Sequence, residues 1–387
     1  MRATSINDFF MYKPRFFSAL DNYFSPGKAL IIYGPRRTGK TTLVKNFLKD
    51  TSLKYLFVTG DDIRIQTLLS SKDVNKILEF VENFQLLVID EAQQIPEVGS
   101  GLKILVDHKP DLKIIATGSS SFELSGQVGE PLTGRKITLT LFPFAQCELT
   151  LELNDYELKQ RLEDYLVFGS YPEVILAKTN QEKTIILQEL VNSYLLKDIL
   201  VFDRIRNSRN LLNLLQLLAF QITSEVSYNE LANKLGISIN TVQRYLDLLE
   251  KTFVIFRLGG FSRNLRNEVT KTSKYYFFDN GIRNAIIQQH NPLTLRNDQG
   301  QLWENFVMVE RLKYRNYQNI FANSYFWRTY QGNEIDLVED REGVLNGFEI
   351  KWSENKEKIS APALWTNTYK NAAFSVINPK NYLEFIK

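Results

Sequence analysis

The fold is decided by the stretch Ile31-Ile32-Tyr33-Gly34-Pro35-Arg36-Arg37-Thr38-Gly39-Lys40-Thr41-Thr42. An apolar run leads into a complete Gly-x-x-x-x-Gly-Lys-Thr pattern, and the residues from Leu43 onward have helical spacing. Glycines let such a loop turn tightly, so that its backbone N–H groups converge on phosphates. The positive end of the following helix faces the same anion. The stretch predicts a strand, a phosphate-binding loop and a helix, and hence a nucleoside triphosphate site.

Each position of this loop is assigned to the predicted site. Lys40 is expected to reach the β- and γ-phosphates, and the Thr41 hydroxyl is expected to bind Mg²⁺. The other contributors are Gly34, Pro35, Arg36, Arg37, Thr38, Gly39 and Thr42.

Length and composition limit what surrounds the loop. A chain of 387 residues favours two or three domains, and 44% hydrophobic with 24% charged residues is typical of globular proteins. The net charge of +3 is too small to dictate a polyanionic partner. A single cysteine, Cys147, excludes an internal disulfide. Without a signal-like start or a long apolar stretch, we expect a cytoplasmic protein with no membrane contact.

A second apolar run, residues 86–92, ends in adjacent carboxylates, as a buried parallel strand does at the phosphate edge of a sheet. Asp90 is expected to hold Mg²⁺, and Glu91 to act as the general base that orients the attacking water. The alternative is a strand that ends in two solvated acids.

A third strand, residues 113–117, leads into a serine-rich segment. Thr117 and Ser119 are candidates to bond the γ-phosphate or the attacking water, with a plain turn as the alternative. Arg135 precedes a further strand and is a candidate phosphate sensor or an arginine finger acting across subunits. A surface arginine is an equal alternative.

These motifs together resemble the prokaryotic AAA-superfamily ATPases that carry a C-terminal domain of the DUF4143 type. The resemblance rests on the loop, on Ile89–Gln93, on Thr117–Ser121, on Gly134-Arg135 and on Phe142-Pro143. It implies an α/β fold with an AAA-like P-loop NTPase core around a parallel sheet. A helical lid, a winged-helix segment and a restriction-endonuclease-like α/β end are implied to follow. The expected boundaries are 1–150, 151–222, 223–285 and 286–387.

Residues 228–246 have the pattern of a helix-turn-helix, with Gly236 in the turn. In a DNA-binding version the second helix would present Asn240, Thr241, Gln243 and Arg244 to the major groove. A basic stretch that could contact phosphates follows, namely Arg257, Arg263, Arg266, Lys271 and Lys274. The alternative is a module for packing or protein contact.

Near the C-terminus, Asp336 is followed thirteen positions later by Glu349 and then by Lys351, with Glu304 on an earlier predicted helix. The order resembles the strand pair of the PD-(D/E)xK nuclease superfamily, although Ile335 replaces the usual proline. Glu349 and Lys351 share one strand face. Asp336, Glu349 and Glu304 are candidate Mg²⁺ ligands, with Lys351 to activate water. A charged hairpin is the alternative.

Two classes of function fit this sequence. The first is an ATP-hydrolysing enzyme, with ATP and Mg²⁺ as cofactors, that couples the nucleotide cycle to a DNA-related C-terminal module. The second is a nucleotide-dependent switch or scaffold for a protein partner, with a catalytically silent C-terminal fold. Homo-oligomers are expected if Arg135 acts across subunits.

Overall fold

The computed structural model describes residues 13–118, 131–195, 208–261, 273–329, 331–353 and 359–387. In these residues the β-strands form two sheets, and α-helices pack around both sheets. None of the helices in this part of the chain is long and apolar enough to cross a membrane.

The first sheet consists of five parallel strands in the order β2-β3-β4-β1-β5. Its strands are rich in Ile, Leu and Val because both faces are covered by helices. Their bounds are β1 (Ala29–Tyr33), β2 (Tyr55–Thr59), β3 (Leu86–Asp90), β4 (Lys113–Gly118) and β5 (Lys136–Thr140). This is the predicted parallel core of a P-loop NTPase.

Alternate residues of the strands in the first sheet pack into two separate hydrophobic cores, because successive side chains of a strand point to opposite faces. Ile31, Ile89 and Ile114 face one core, which the helices α2 (Ile63–Ser70), α3 (Val74–Phe80) and α4 (Val98–His108) cover. Leu30 and Val88 face the other core, which α1 (Lys40–Asp50) covers. A 3₁₀ turn, Ala92–Gln94, follows β3.

A mainly helical segment follows the first sheet. Its helices are α5 (Gln146–Leu149), α6 (Asp155–Gln160), α7 (Leu162–Phe168), α8 (Pro172–Leu176), α9 (Asn180–Glu189) and α10 (Ser208–Phe220), with a π-helical turn at Leu190–Leu195. Next come β6 (Glu225–Val226), α11 (Tyr228–Leu235), α12 (Ile239–Lys251), β7 (Ile255–Gly260) and β8 (Ser273–Phe277).

The remaining elements complete a mixed seven-stranded sheet in the order β12-β11-β10-β9-β7-β8-β6. They are α13 (Asn280–Ile286), α14 (Gln299–Tyr317), β9 (Asn323–Arg328), β10 (Glu334–Arg341), β11 (Val344–Ile350), α15 (Ala363–Thr368), β12 (Ala373–Ile377) and α16 (Tyr382–Ile386). Strands on both sides of the boundary predicted at 285 share this sheet, because β7 pairs with β9. The four predicted domain ranges stay predictions.

Candidate nucleotide-binding site

The phosphate loop joins β1 to α1 at the carboxyl edge of the first sheet. Gly34 has a φ of 149°, and a Cβ at this position would lie 2.2 Å from the carbonyl oxygen of Leu141. Only glycine therefore fits between the loop and the end of β5. The helix begins directly after Gly39, whose φ of 89° is left-handed.

Lys40 points back along the loop. Its Nζ donates to the carbonyl oxygens of Gly34, at 3.0 Å, and Pro35, at 2.7 Å. Burial lowers the pKa of the ammonium to about 8, although Glu91 and Asp90 act in the opposite direction. The ammonium therefore lies inside the loop, against the carbonyl groups of its first two residues.

Thr41, Asp90 and Thr117 converge from three different elements. The Thr41 hydroxyl lies 2.9 Å from Asp90 Oδ2, and the Thr117 hydroxyl donates to Asp90 Oδ1 at 2.5 Å. This set of hydroxyl and carboxylate oxygens matches the hard ligands that Mg²⁺ prefers. The residues present therefore fit the magnesium ion expected with a nucleotide.

Glu91 follows Asp90 with a φ of 52°, a left-handed conformation that is uncommon for glutamate and that tends to occur at functional sites. Its backbone N–H donates to the Thr117 hydroxyl at 3.2 Å, and its carboxylate accepts a hydrogen bond from the Gln93 side chain. These contacts hold the Glu91 carboxylate near the phosphate loop.

A cavity of about 660 Å³ opens beside the loop, large enough for a nucleotide. Its wall is strongly basic, with Lys13, Arg36, Arg37, Lys45 and Lys49 among the lining residues. Arg37 also pairs with Glu173 on α8 at 3.0 Å and with Glu189 on α9 at 3.5 Å. The helical segment thus forms one side of the cavity.

Arg135 lies at the opposite edge of the sheet. Lys136, its neighbour, is level with Ala29 at the start of β1, about 16 Å of strand away from the loop. The Arg135 side chain pairs with Asp107 at 2.6 Å. This position corrects the prediction that Arg135 contacts the nucleotide of its own chain. Its role across subunits stays a prediction, and Ser119 lies outside the described residues.

The four predicted C-terminal site residues do come together. Lys351 Nζ lies 2.5 Å from Glu349 and 3.6 Å from Asp336, whose carboxylate also accepts from the backbone N–H of Ile350 at 2.8 Å. Glu304 of α14 belongs to the same group, because Asp336 raises the pKa of the Glu304 carboxyl and Glu304 raises the pKa of Lys351.

A second lysine enters the same cluster. Lys274 of β8 is 3% exposed, and its ammonium pairs with Glu334 and lies 3.8 Å from Glu304. The Tyr276 hydroxyl donates to Glu304 at 2.8 Å. Burial raises the pKa of the Glu304 carboxyl to about 8, with repulsion from Asp336 in the same direction and Lys274 opposing both.

This arrangement differs from the predicted one in two ways. Lys274 is buried in an ion-pair cluster, so it cannot contact nucleic-acid phosphates as part of a basic stretch. Within the described ranges, no group of three or more His, Cys, Asp or Glu side chains could hold a metal ion. The ammonium of Lys274 joins the predicted Lys351 among the carboxylates, and these residues do not fit the Mg²⁺ ion predicted for Glu304, Asp336 and Glu349.

The predicted helix-turn-helix residues lie on α11 and α12. Gly236 is left-handed with a φ of 65°, and the Ser238 side chain caps α12 by accepting from the Thr241 N–H. Asn240, Gln243 and Arg244 are exposed. Of the basic stretch, Arg257 is exposed, whereas Arg263, Arg266 and Lys271 lie outside the described residues.

Three residues have contacts at these sites that the sequence did not predict: Arg15 was not singled out, Gln93 was quoted only within a motif, and Lys274 was expected in a basic stretch. Gln93 binds Glu91, Lys274 neutralises the C-terminal cluster, and Arg15 donates to the carbonyl oxygen of Thr38 in the phosphate loop at 2.7 Å. Gln93 adjoins the acidic pair and could have been suspected from its position. Arg15 and Lys274 carry no local signal, because their partners are distant in sequence.

Comparison with known proteins agrees with this architecture. Residues 26–150 match the AAA domain family, residues 159–293 match a domain of unknown function, DUF8612, and residues 299–383 match a domain of unknown function, DUF4143. The chain is an α/β protein with a P-loop NTPase core. More particularly, it joins an N-terminal AAA domain to a C-terminal DUF4143 domain, as the sequence resemblance predicted.

The relatives are themselves uncharacterized. The protein MJ1544 of Methanocaldococcus jannaschii is 25% identical over 363 residues, covering 87% of this chain and 78% of that protein. Rv2008c of Mycobacterium tuberculosis is 28% identical over 326 residues, covering 83% and 70%. Among solved structures, the Walker-type ATPase PABY2304 of Pyrococcus abyssi aligns with a TM-score of 0.46 and 16% identity, covering 70% of this chain and 94% of that chain.

Proposed function

We propose that this protein binds ATP with Mg²⁺ and hydrolyses it. The observation that carries the proposal is the convergence of Thr41, Asp90, Thr117 and Glu91 at the sheet edge that holds the phosphate loop. They come from the helix after the loop, the end of β3 and the end of β4. The Thr41 hydroxyl, the Asp90 carboxylate, the Thr117 hydroxyl and the Glu91 backbone N–H form one hydrogen-bonded group. Phosphoryl transfer requires such positioning more than it requires covalent chemistry.

Each residue has a distinct role in the proposed reaction. The loop N–H groups and Lys40 bind the phosphates, and Thr41 and Asp90 hold the magnesium ion. Bound Mg²⁺ would neutralise charge on the phosphates. Glu91 orients the attacking water and accepts its proton, while Thr117 fixes the Asp90 carboxylate and the backbone of Glu91.

Equilibrium binding of ATP tests the first half of this proposal. Wild-type protein should bind ATP in the presence of Mg²⁺, and Lys40→Ala should abolish binding because the buried cation is lost. Lys103→Ala on α4, outside the loop, is the matched control and should bind like wild type. Equal affinity in wild type and Lys40→Ala would contradict the proposed site.

We further propose that the nucleotide cycle acts on a DNA-related module. The order α10, β6, α11, α12, β7, β8, with β8 between β7 and β6, supports a winged-helix unit. Exposed Asn240, Gln243 and Arg244 have hydrogen-bonding groups suited to bases and phosphates. DNA should then stimulate ATP turnover with a steep salt dependence. Absence of DNA binding at low salt would rule this module out.

A second candidate is a nucleotide-dependent switch for a protein partner. The specific observation in its favour is the pairing of Lys274 and Lys351 with the C-terminal carboxylates. Carboxylates neutralised by lysines in this way are suited to stabilising the C-terminal fold rather than to cleaving DNA. Metal-dependent cleavage of DNA that Asp336→Ala and Lys351→Ala both abolish would exclude the silent version, whereas equal residual cleavage by all three proteins would indicate contamination.

We propose a homo-oligomer only because Arg135 could then contact the nucleotide bound by a neighbouring copy. An arginine that lies far from its own loop can reach a nucleotide only in a neighbouring copy. Mass measurement with and without an ATP analogue tests this role, since assembly must depend on the nucleotide or on Arg135. A monomer under both conditions would rule out the role across subunits.

A further inference from the structure

Arg15 lies outside the residues that match the AAA domain, yet it is buried against the phosphate loop. Its side chain is 3% exposed and lines the nucleotide cavity. The guanidinium stacks over the Phe144 ring, with 4.3 Å from Cζ to the ring centroid. A buried arginine of this kind has to be compensated by acceptors, because burying a charge without partners is costly.

Arg15 donates to acceptors from three parts of the chain. Nη1 donates to the carbonyl oxygen of Thr38 at 2.7 Å, Nη2 to that of Phe142 at 2.6 Å, and Nε to the Glu148 carboxylate at 2.9 Å. Burial would lower the pKa of Arg15, but Glu148 and Tyr317 outweigh it and the pKa is raised. The planar fork of a permanently charged guanidinium fixes the three acceptors relative to one another.

Tyr317 connects the same group to the end of α14. Its hydroxyl accepts from the Phe142 N–H at 3.3 Å and from Arg15 Nη2 at 3.5 Å, and donates to Glu148 at 3.4 Å. Its ring stacks on Phe16, with centroids 5.1 Å apart. Arg15 thus contacts both the phosphate loop, at Thr38, and the end of α14, at Tyr317, and α14 lies within the residues that match DUF4143.

Helix α14 extends from this contact to the C-terminal charge cluster. Glu304 lies thirteen positions before Tyr317, which is about 20 Å along the helix axis. Lys313 anchors the helix between them, donating to the carbonyl oxygen of Phe144 at 3.1 Å and to Glu310 at 2.8 Å. One rigid element therefore contacts both regions.

We propose that Arg15 is a positioning residue for the phosphate loop, and that Tyr317 transmits the state of that loop to α14 and the C-terminal cluster. This inference rests on the proposed ATP binding. Arg15 holds the Thr38 carbonyl in place, so the loop is shaped to receive phosphates before a nucleotide arrives. Bound phosphates restrain Thr38 further, and this restraint is passed through the guanidinium to Tyr317.

Arg15→Lys tests the positioning role, because it keeps the charge and removes the fork. The KM for ATP should rise about tenfold while kcat stays within threefold of wild type, as expected when uniform binding is lost. A merely structural role would lower the active fraction, and hence the apparent kcat, at unchanged KM. Arg64→Lys, an exposed arginine on α2 with an 87% exposed side chain, is the matched control.

Hydrogen exchange with a non-hydrolysable ATP analogue tests the transmission. The analogue should slow exchange in residues 310–317 of wild type and of Tyr314→Phe, which removes a hydroxyl elsewhere on α14. Tyr317→Phe should bind the analogue with a Kd within threefold of wild type but lose this protection. Protection equal to wild type in Tyr317→Phe, or none in wild type that binds the analogue, would overturn the proposal. Failure of wild type to bind ATP would overturn the proposed function as well.

Discussion

The Thr41 hydroxyl lies 2.9 Å from one carboxylate oxygen of Asp90 and 3.0 Å from the other. Thr41 is the second residue of α1, the helix after the phosphate loop. Asp90 ends β3, which lies two places from β1 in the sheet. Because parallel strands end at the same edge, residues from the two motifs meet there. The contact brings together the two side chains that are proposed to hold magnesium.

Thr41→Ala should weaken binding of the magnesium nucleotide by about tenfold, since a hydrogen-bonding group next to a charge is removed. Isothermal titration with ATP and Mg²⁺ measures this loss. Titration with ATP and a chelator is the internal control, and there the variant should match wild type. An equal loss with and without Mg²⁺ would place Thr41 on the phosphates rather than on the metal.

ATP affinity should fall as the pH rises through about 8. The pKa of Lys40 is lowered to about 8, so the ammonium is present below this pH and is lost above it. From pH 7.5 to 9.5 we expect the Kd to rise about tenfold. Lys40→Arg keeps its charge throughout, so its affinity, weaker or not, should be flat over this range. A flat profile in wild type would contradict the buried, perturbed lysine.

Gly34→Ala should destabilise the protein by about 2 kcal/mol, because the new methyl group would meet the Leu141 carbonyl and force the loop away from β5. Gly27→Ala is the matched control, since Gly27 has a φ of 66° but open space around it. Gly27→Ala should lower the free energy of unfolding by less, because only the left-handed backbone is unfavourable there. Thermal unfolding measures both, and equal effects would show that the clash is relieved without cost.

Lys274→Met should lower the free energy of unfolding by about 1–3 kcal/mol, because it leaves Glu304 and the partly exposed Glu334 without their buried ammonium partner. Chemical denaturation measures the free energy of unfolding. Lys351→Met, at a position where the side chain is 31% exposed, is the control and should cost less. A larger loss in Lys351→Met would mean that Lys351, not Lys274, stabilises the cluster.

Much of this site could be predicted because its residues form local motifs. The loop, the Asp90-Glu91 pair and Thr117 each follow an apolar strand, and parallel pairing brings the strand ends together. Arg135 was misplaced because the sequence does not say that β5 pairs parallel to β1, and this pairing puts the residue before β5 at the end of the sheet away from the loop. Arg15 binds Phe142 and Glu148, more than a hundred positions away, and Lys274 pairs with Glu334, sixty positions away. Only the tertiary fold could reveal these contacts.

The general base gives the most direct test of ATP hydrolysis by this protein. Phosphate release should be measured at saturating ATP and Mg²⁺ for wild type and Glu91→Gln, with ATP binding measured in parallel. We expect Glu91→Gln to bind ATP like wild type and to lose at least a hundredfold in turnover. Turnover in Glu91→Gln equal to wild type, or no turnover in wild type that binds ATP, would contradict hydrolysis at this site.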